Sequence, residues 1–503
     1  MQPNKFEFPG SPVHSPLALM FVPSEQGVYF LEYGMSNKYA EFIRSKHATT
    51  VTTGFELPIE YVSERAKNWQ RKVVQWSLKR GRAALFEDTG LGKTLQQLLW
   101  AEQVAGHTSG LVLLHCPIGV RVQTKRESEK FGIECDVVIA DDDRNLPKSG
   151  IVIANYEKIH KFDTRKFEGV VLDESSILKS FTGSIKRSLC DNWKHSQFRL
   201  ACTATPSPND HMELGNHAQF LGIMNSNEML SRWFFNDTMK SGGYKILPHG
   251  EADFWDWVAT WAACVSMPSD IGGDDTGYIL PTLTRFDHTV IPTDDAPDDG
   301  CLFRVERELT ATTVHKEKRR TTIDRARKVA EIVSSEPDEP WLIWCDTNYE
   351  ADDLKELIPD AVDLRGTESE ASKERKLSGF SDGTIRRLIT KPTVAGFGLN
   401  WQHCRRMAFI GLSYSYEQYY QAVRRCWRFG QTSEVHAHVV MAESEAAILK
   451  TNERKQKQHS EMQAAMRMAI NRTHELSTGK DQSLSQFNPT KKMELPSWLF
   501  KIK

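Results

Sequence analysis

Lys93 and Thr94 close a glycine-punctuated stretch, FEDTGLGKT from Phe86 to Thr94, that follows one apolar run and opens another. Ala83 to Phe86 reads as the end of a buried strand, and Thr94 to Ala101 (TLQQLLWA) as the helix after it. Gly90 and Gly92 let backbone N–H groups turn inward around a polyphosphate, and the helix aims its positive dipole end at the same charge. Lys93 would supply a point charge to the outer phosphates, and the Thr94 hydroxyl a ligand for Mg2+. The full phosphate-loop expression asks for glycine where Glu87 stands, so the stretch alone leaves an ordinary strand-to-helix turn open.

Partners for such a loop occur further along. Val170 to Leu172 is a hydrophobic strand that delivers Asp173 and Glu174 at its C-terminal end, where an α/β sheet presents its ligands. Asp173 reads as the holder of magnesium, through water, and Glu174 as the group that orients and polarises an attacking water. The strand Phe198 to Ala201 leads into Thr203 and Thr205, whose hydroxyls can bond a carboxylate network and a backbone together and so suit a coupling role. YYQAVRRCWRFGQ (Tyr419 to Gln431) carries Gln421, Arg425 and Arg428. Arg425 and Arg428 lie three apart, which places them on one helical face; they could reach a γ-phosphate as arginine fingers, or serve as surface ion-pair partners. Ahead of the loop, Arg65 to Arg80 is an amphipathic helix with Trp69, Val73, Trp76 and Leu78 on its apolar face. Its Gln70 amide offers an adenine edge both a donor and an acceptor, or simply faces solvent.

The elements that must position these residues alternate. Leu111 to Cys116 and Ile151 to Ala154 are further buried strands, and Trp341 to Cys345, Ile385 to Thr390, Met407 to Ile410 and Val435 to Met441 form a second set with helices between. The expected fold is α/β: two tandem doubly wound parallel-sheet lobes with a helical, aromatic-rich insertion between them. The expected boundaries are an accessory segment at 1–55, lobe 1 at 56–222, the insertion at 223–300, lobe 2 at 301–446, and a C-terminal helix and tail at 447–503. Gly27 to Gly34 in the accessory segment reads as a strand without assignable chemistry. The tryptophans and phenylalanines of 223–300 (FWDWVATWAA among them) read as core in preference to base-stacking platforms. His315 to Lys328 is basic and helical, with either a solvated or a phosphate-contacting face. Residues 447–475 read as a charged helix without a strong apolar stripe, 476–490 as a linker, and Leu495 to Phe500 as a segment docking back onto the body.

Composition sets bounds. A chain of 503 residues is too long for one core. With 64 basic against 66 acidic residues the net charge is -2, so no global basic excess announces nucleic acid, although a groove between lobes can still be basic. Nine cysteines without a C-x-x-C pair read as reduced thiols in a cytoplasmic protein, with no zinc module or disulfide framework. Leu17 to Val22 is too short to span a bilayer, and no membrane partner is expected.

Together the motifs resemble the Swi/Snf-like ATPases of helicase superfamily 2. Gln70 matches the family's adenine-reading glutamine, and Asp88, Thr89, Gly90, Leu91, Gly92, Lys93 and Thr94 its motif I. LVLLHCP matches motif Ia, DESSILKS stands where the family has its Asp-Glu-Ala-His motif II, CTATPSPNDHMEL resembles motif III, and QAVRRCWRFGQ motif VI. The superfamily form of motif I does not require glycine at Glu87. Ser175 and Ser176 replace Ala-His, Trp427 sits where the family often has His, and the motif V turn at Ala395 to Asn400, with Gly398, is a residue shorter than usual. The aromatic middle with PSDIG and GYILP is similar to compact DEAD/DEAH-box-type helicases of bacteriophages and prophages. The resemblance implies two RecA-like lobes with ATP and Mg2+ between them and double-stranded DNA across both. It implies a monomeric motor that ratchets along a strand in the host cytoplasm. A strand-separating helicase on DNA or RNA, a motor subunit for a nuclease, methyltransferase or replication partner, and a non-hydrolysing DNA-binding scaffold stay open.

Overall fold

The computed structural model describes residues 20–24, 27–31, 52–179, 183–237, 243–292, 311–395 and 400–477. In the first 51 residues, a compact unit of their own, β1 (Met20–Ser24) and β2 (Gly27–Leu31) pair antiparallel, Met20 opposite Leu31.

From Thr52 onward the chain builds two parallel sheets. β3 (Arg82–Glu87), β4 (Leu111–Cys116), β5 (Val137–Ile139), β6 (Gly150–Asn155), β7 (Gly169–Asp173) and β8 (Phe198–Cys202) form the first. A short antiparallel hairpin, β9 (Phe234–Asp237) with β10 (Gly243–Ile246), precedes β11 (Ala262–Val265), which returns to the same sheet. The order is β11-β3-β8-β7-β4-β6-β5. The second sheet takes β12 (Leu283–Val290), β13 (Trp341–Trp344), β14 (Val362–Leu364), β15 (Arg387–Thr390), β16 (Arg406–Ile410) and β17 (Val435–Ala442) in the order β12-β17-β16-β13-β15-β14. The aromatic stretch between the lobes carries the expected helices, and it also gives one edge strand to each sheet: β11 pairs with β3 and β12 with β17.

Parallel strands covered on both faces are near-continuous apolar runs, as in β13 (WLIW) and in β4 (LVLLHC), whose one polar side chain is His115; both strands are buried throughout. The two-residue period divides each strand between two cores. Ala84 and Phe86 of β3 pack on one side of the first sheet, Ala83 and Leu85 on the other. Leu342 and Trp344 of β13 go to one side of the second sheet, Trp341 and Ile343 to the other. Trp233, Phe254, Trp255, Trp257 and Trp261 lie inside the first lobe's core, so these aromatics are packing residues.

One expectation needs correction, and a second holds with a detail added, since the basic stretch 315–328 is helical with Lys316, Arg319 and Arg327 exposed. The C-terminal helix Ala446–Ser477 does have a buried stripe: Ile448, Asn452, His459, Met462, Met466 and Ala469. Asn452 and His459 interrupt its hydrophobicity, so it does not read as apolar in sequence. Ile448 belongs to a second-lobe core while Met462, Met466 and Ala469 belong to a first-lobe core, so this one helix spans both. The basic stretch 315–328 is divided between helices Ala311–Arg320 and Thr322–Ser335, and its Arg325 is fully buried. Arg325 donates to Glu350 Oε1 (3.0 Å) and to the Ile410 and Lys318 carbonyls (2.7 and 2.6 Å), and Lys318, also buried, pairs with Asp346 at 2.9 Å. These two cations tie the second lobe together and present nothing to a phosphate. The expected linker at 476–490 (beyond Ser477) and docking segment at Leu495 to Phe500 lie outside the described residues.

Candidate active site

β3 ends at Glu87 and the helix Lys93–Thr108 begins six residues later, with Gly90 and Gly92 both in the left-handed region (φ +90° and +83°). The turn also forbids side chains for lack of room. A Cβ on Gly92 would stand 2.5 Å from Gln70 Nε2, and one on Gly90 3.0 Å from Phe429 Cβ. Lys93 Nζ donates to the Glu87 and Asp88 carbonyls at 2.7 and 3.0 Å, so its ammonium is held inside the loop. Glu87, the residue that breaks the simple phosphate-loop expression, turns its carboxylate inward to accept from Gln96 Nε2 at 2.8 Å. Burial pushes its pKa up to about 7. Gln70 is buried: Nε2 donates to the Leu91 carbonyl (2.8 Å) and Oε1 accepts from the Lys67 N–H (2.9 Å), so it braces the loop and the solvent-facing alternative falls.

The two carboxylates sit at the end of β7, against the loop helix. Gln97 Nε2 donates to Asp173 Oδ1 at 2.8 Å, and the Tyr156 hydroxyl to the Asp173 carbonyl at 2.6 Å. Glu174 has φ +55°, a left-handed conformation that a residue with a Cβ holds at a cost of about 1–3 kcal/mol. Burial raises the Asp173 pKa, and burial together with the Asp173 charge raises that of Glu174 to about 7. Asp173 and Thr94 are hard oxygen donors of the kind Mg2+ takes, and among the described residues no cluster of three or more His, Cys, Asp or Glu forms a denser cage.

Thr203 and Thr205 connect this pair to the other lobe. Thr203 Oγ1 donates to Glu174 Oε2 at 3.2 Å and accepts from the Thr205 N–H at 3.1 Å. Thr205 Oγ1 donates to Glu417 Oε1 (3.4 Å), and the other Glu417 oxygen takes Lys179 Nζ at 2.6 Å. Ser175, at the position of the family's alanine, has its Oγ 3.1 Å from His217 Nε2.

The second lobe meets the loop through residues 420–429. The helix Tyr416–Val423 ends before Arg425 and Arg428, so the expected shared helical face is not what aligns them; they follow in the turn. Arg425, whose Nε donates to the Gln421 carbonyl at 3.1 Å, is buried close enough to Glu174 and Asp173 for its charge to lower both carboxyl pKa values. Burial brings Arg425 down to about 10, and burial plus the neighbouring arginines brings Arg428 to about 9, both still cationic at neutral pH. Two residues that sequence reasoning passed over touch the loop directly. Tyr420 Oη donates to Asp88 Oδ1. Arg424 pairs with Asp88 Oδ2 at 2.6 Å and donates to the Thr89 hydroxyl and carbonyl. Burial favours a neutral Asp88, but Arg424 and Tyr420 outweigh it and hold the carboxyl below its usual range. Gln97, Tyr420 and Arg424 have no motif spacing to betray them; the one available signal was two adjacent arginines at 424 and 425. Gly398 lies outside the described residues.

Family comparison agrees with this geometry. An SNF2-related domain model matches residues 69–247 and a helicase conserved C-terminal domain model matches 324–430, together more than half of the chain. The chain belongs to the Swi/Snf-like ATPases of helicase superfamily 2. Among curated relatives, the SWI/SNF chromatin-remodeling complex subunit snf22 of Schizosaccharomyces pombe is 25% identical over 210 residues, covering 37% of this chain and 12% of the relative. Helicase domino of Drosophila melanogaster is 24% identical over 221 residues, covering 39% of this chain and 7% of the relative. The match thus spans about a tenth of those proteins' length. A solved structure, the Sulfolobus solfataricus SWI2/SNF2 ATPase core in complex with dsDNA, is 19% identical across 84% of this chain and 97% of that one, with a TM-score of 0.39. In this Swi/Snf-like ATPase, lobe 2 places Arg425 beside Asp173 and Glu174 and Arg424 on Asp88. No helix among the described residues is long and apolar enough to cross a membrane.

Proposed function

We propose that the protein couples ATP hydrolysis to translocation on double-stranded DNA. The observation that carries the reading is the unbroken line from Glu174 through Thr203, Thr205 and Glu417 to Lys179, because it makes the state of the hydrolytic carboxylate felt at the seam between the lobes. In this reading Gly90, Gly92 and Lys93 take the phosphates, Glu174 positions the attacking water, and Arg425 and Arg428 neutralise charge that develops on the transferred phosphoryl group. Thr94 and Asp173 would hold Mg2+, which would supply charge neutralisation at the phosphates. Gln97 and Tyr156 keep Asp173 aimed.

Duplex DNA as the track is supported by the SNF2-related match and by relatives that are named as a chromatin-remodeling subunit and a helicase. The test is the ATPase rate without nucleic acid and with single-stranded DNA, duplex DNA or RNA at one stated salt concentration. Stimulation by duplex well above the rest, together with displacement of a third strand from a triplex, is the expected result. Equal rates in all four conditions, or fork unwinding without triplex displacement, would reject translocation on duplex.

A further inference from the structure

The motifs above account for the phosphates and leave the base of the nucleotide without a platform. Three segments that are remote in sequence meet beside Gly90 and Gly92. They are the start of the helix Asn68–Arg80, the loop between β11 and β12 that carries GYILP, and the turn at Phe429. The Tyr278 and Phe429 rings lie 4.8 Å apart between centroids, with planes at 40°. Trp69 meets Tyr278 edge-on at 5.9 Å. The Lys67 ammonium stands 4.4 Å from the Tyr278 ring centre and 5.7 Å from that of Phe429.

This cluster is anchored from both lobes. Tyr278 is buried in a first-lobe core, whereas Phe429 belongs to the second lobe, where its carbonyl accepts from Gln402 Nε2 at 3.1 Å. Trp427, the residue standing in place of the family's histidine, donates from Nε1 to the Pro281 carbonyl at 2.7 Å and so ties the GYILP loop to the same turn. Phe429 nevertheless leaves 39% of itself exposed beside Gly90 of the loop. A Cβ on Gly90 would meet the Phe429 Cβ at 3.0 Å and its backbone N at 3.1 Å, so Phe429 packs over the loop at the glycine.

We propose that Phe429, backed by Tyr278 and Lys67, is the surface on which the base of the bound nucleotide stacks. The inference rests on the ATPase reading and deepens it. Stacking on an aromatic ring contributes about 1–3 kcal/mol per base and tolerates any base, since each has a π face. Because the two rings come from different lobes, a base seated on them favours the closed arrangement.

The test compares equilibrium binding by calorimetry of ADP and of pyrophosphate, both with Mg2+, to the wild type, Phe429→Ala and Phe429→Trp. The expected result is an ADP affinity lowered about tenfold in Phe429→Ala, within the range for one stacked base. Pyrophosphate affinity stays unchanged, and Phe429→Trp keeps the wild-type ADP affinity. Tyr278→Leu should move ADP in the same direction by less. Equal weakening of ADP and pyrophosphate would mean that Phe429 only shapes the loop, and no change in either would mean that the base lies elsewhere; both overturn the proposal while the ATPase reading stands. A wild type that binds neither molecule removes the ATPase reading and this inference together.

Discussion

Arg424 of the second lobe reaches Asp88 at the head of the first lobe's phosphate loop, with 2.6 Å between guanidinium and carboxylate. Arg424 is buried and Asp88 mostly so, with Tyr420 on the other carboxylate oxygen, so screening weakens the pair less than one at the surface. It is a direct bond between the glycine-bearing loop of the first lobe and the second lobe.

Removing one partner of such a pair strands the other's charge. Arg424→Ala should therefore destabilise the protein by more than Arg424→Ala does in an Asp88→Asn background, with a coupling of about 1–3 kcal/mol. A double-mutant cycle on denaturant unfolding measures it. Additive effects would show that the two side chains do not depend on each other.

In the proposed hydrolysis Glu174 must be ionised to polarise water, and burial beside Asp173 raises its pKa to about 7. Hydrolysis measured as kcat/KM should accordingly rise as pH increases from 6 to 8 and then level off. Thr203→Val removes the hydroxyl that donates to the ionised carboxylate, so it should move that rise to higher pH. Glu174→Gln should lower kcat by about 100-fold or more while nucleotide still binds.

Glu87 gives a stability prediction of defined sign. Its folded pKa, near 7, lies above the ordinary 4.5, so it binds its proton more tightly folded than unfolded. Stability from this group is present below about pH 4.5 and is lost as pH rises to about 7. Above that the buried charge costs up to about 3 kcal/mol. Glu87→Gln, which keeps an acceptor for Gln96, should be more stable than wild type at pH 8, with the difference vanishing below about pH 4.5, as read by urea melts at pH 8 and pH 4.

The Thr205–Glu417–Lys179 bridge predicts a separation of functions. Glu417→Gln should leave ATP turnover near wild type and lower triplex displacement per ATP hydrolysed severalfold, the size expected when about 0.5–2 kcal/mol of coupling is removed. Proportional loss of both activities would assign Glu417 to hydrolysis instead.

The C-terminal helix packs Met462 and Met466 into the first lobe's core while Ile448 packs into the second's. Met466→Ala should cost about 2–5 kcal/mol of stability. Thermal unfolding followed in each lobe separately would then show both transitions shifting, since the helix is shared.

Much of this was legible before any coordinates. Strand β4 coincides with its run Leu111 to Cys116, because a strand buried on both faces is nearly continuous in apolar residues, His115 being the exception, and so marks its own boundaries. The placement of Lys93 at the start of a helix and of Asp173 at the end of a strand was legible for a related reason: an apolar run that stops at a glycine-bearing turn or a charged residue marks the element's end. By contrast, β11 and β12 lie in a stretch whose aromatics suggest only helices and core, and their membership of two different sheets is a long-range pairing that no local pattern encodes.

What the sequence determined was therefore chemistry and class: a loop for phosphates, an acid pair, a cationic segment and two α/β units in order. What only the tertiary structure decided was who touches whom. Gln97 looks like any helical glutamine until it is seen bonded to Asp173, and Arg424 until it is seen on Asp88. Asn452 and His459 disguised a buried helix face as a polar one. The physical reason is the same in each case. A side chain's role at an interface depends on the group opposite, and for Arg424 that group lies more than three hundred residues away in the chain.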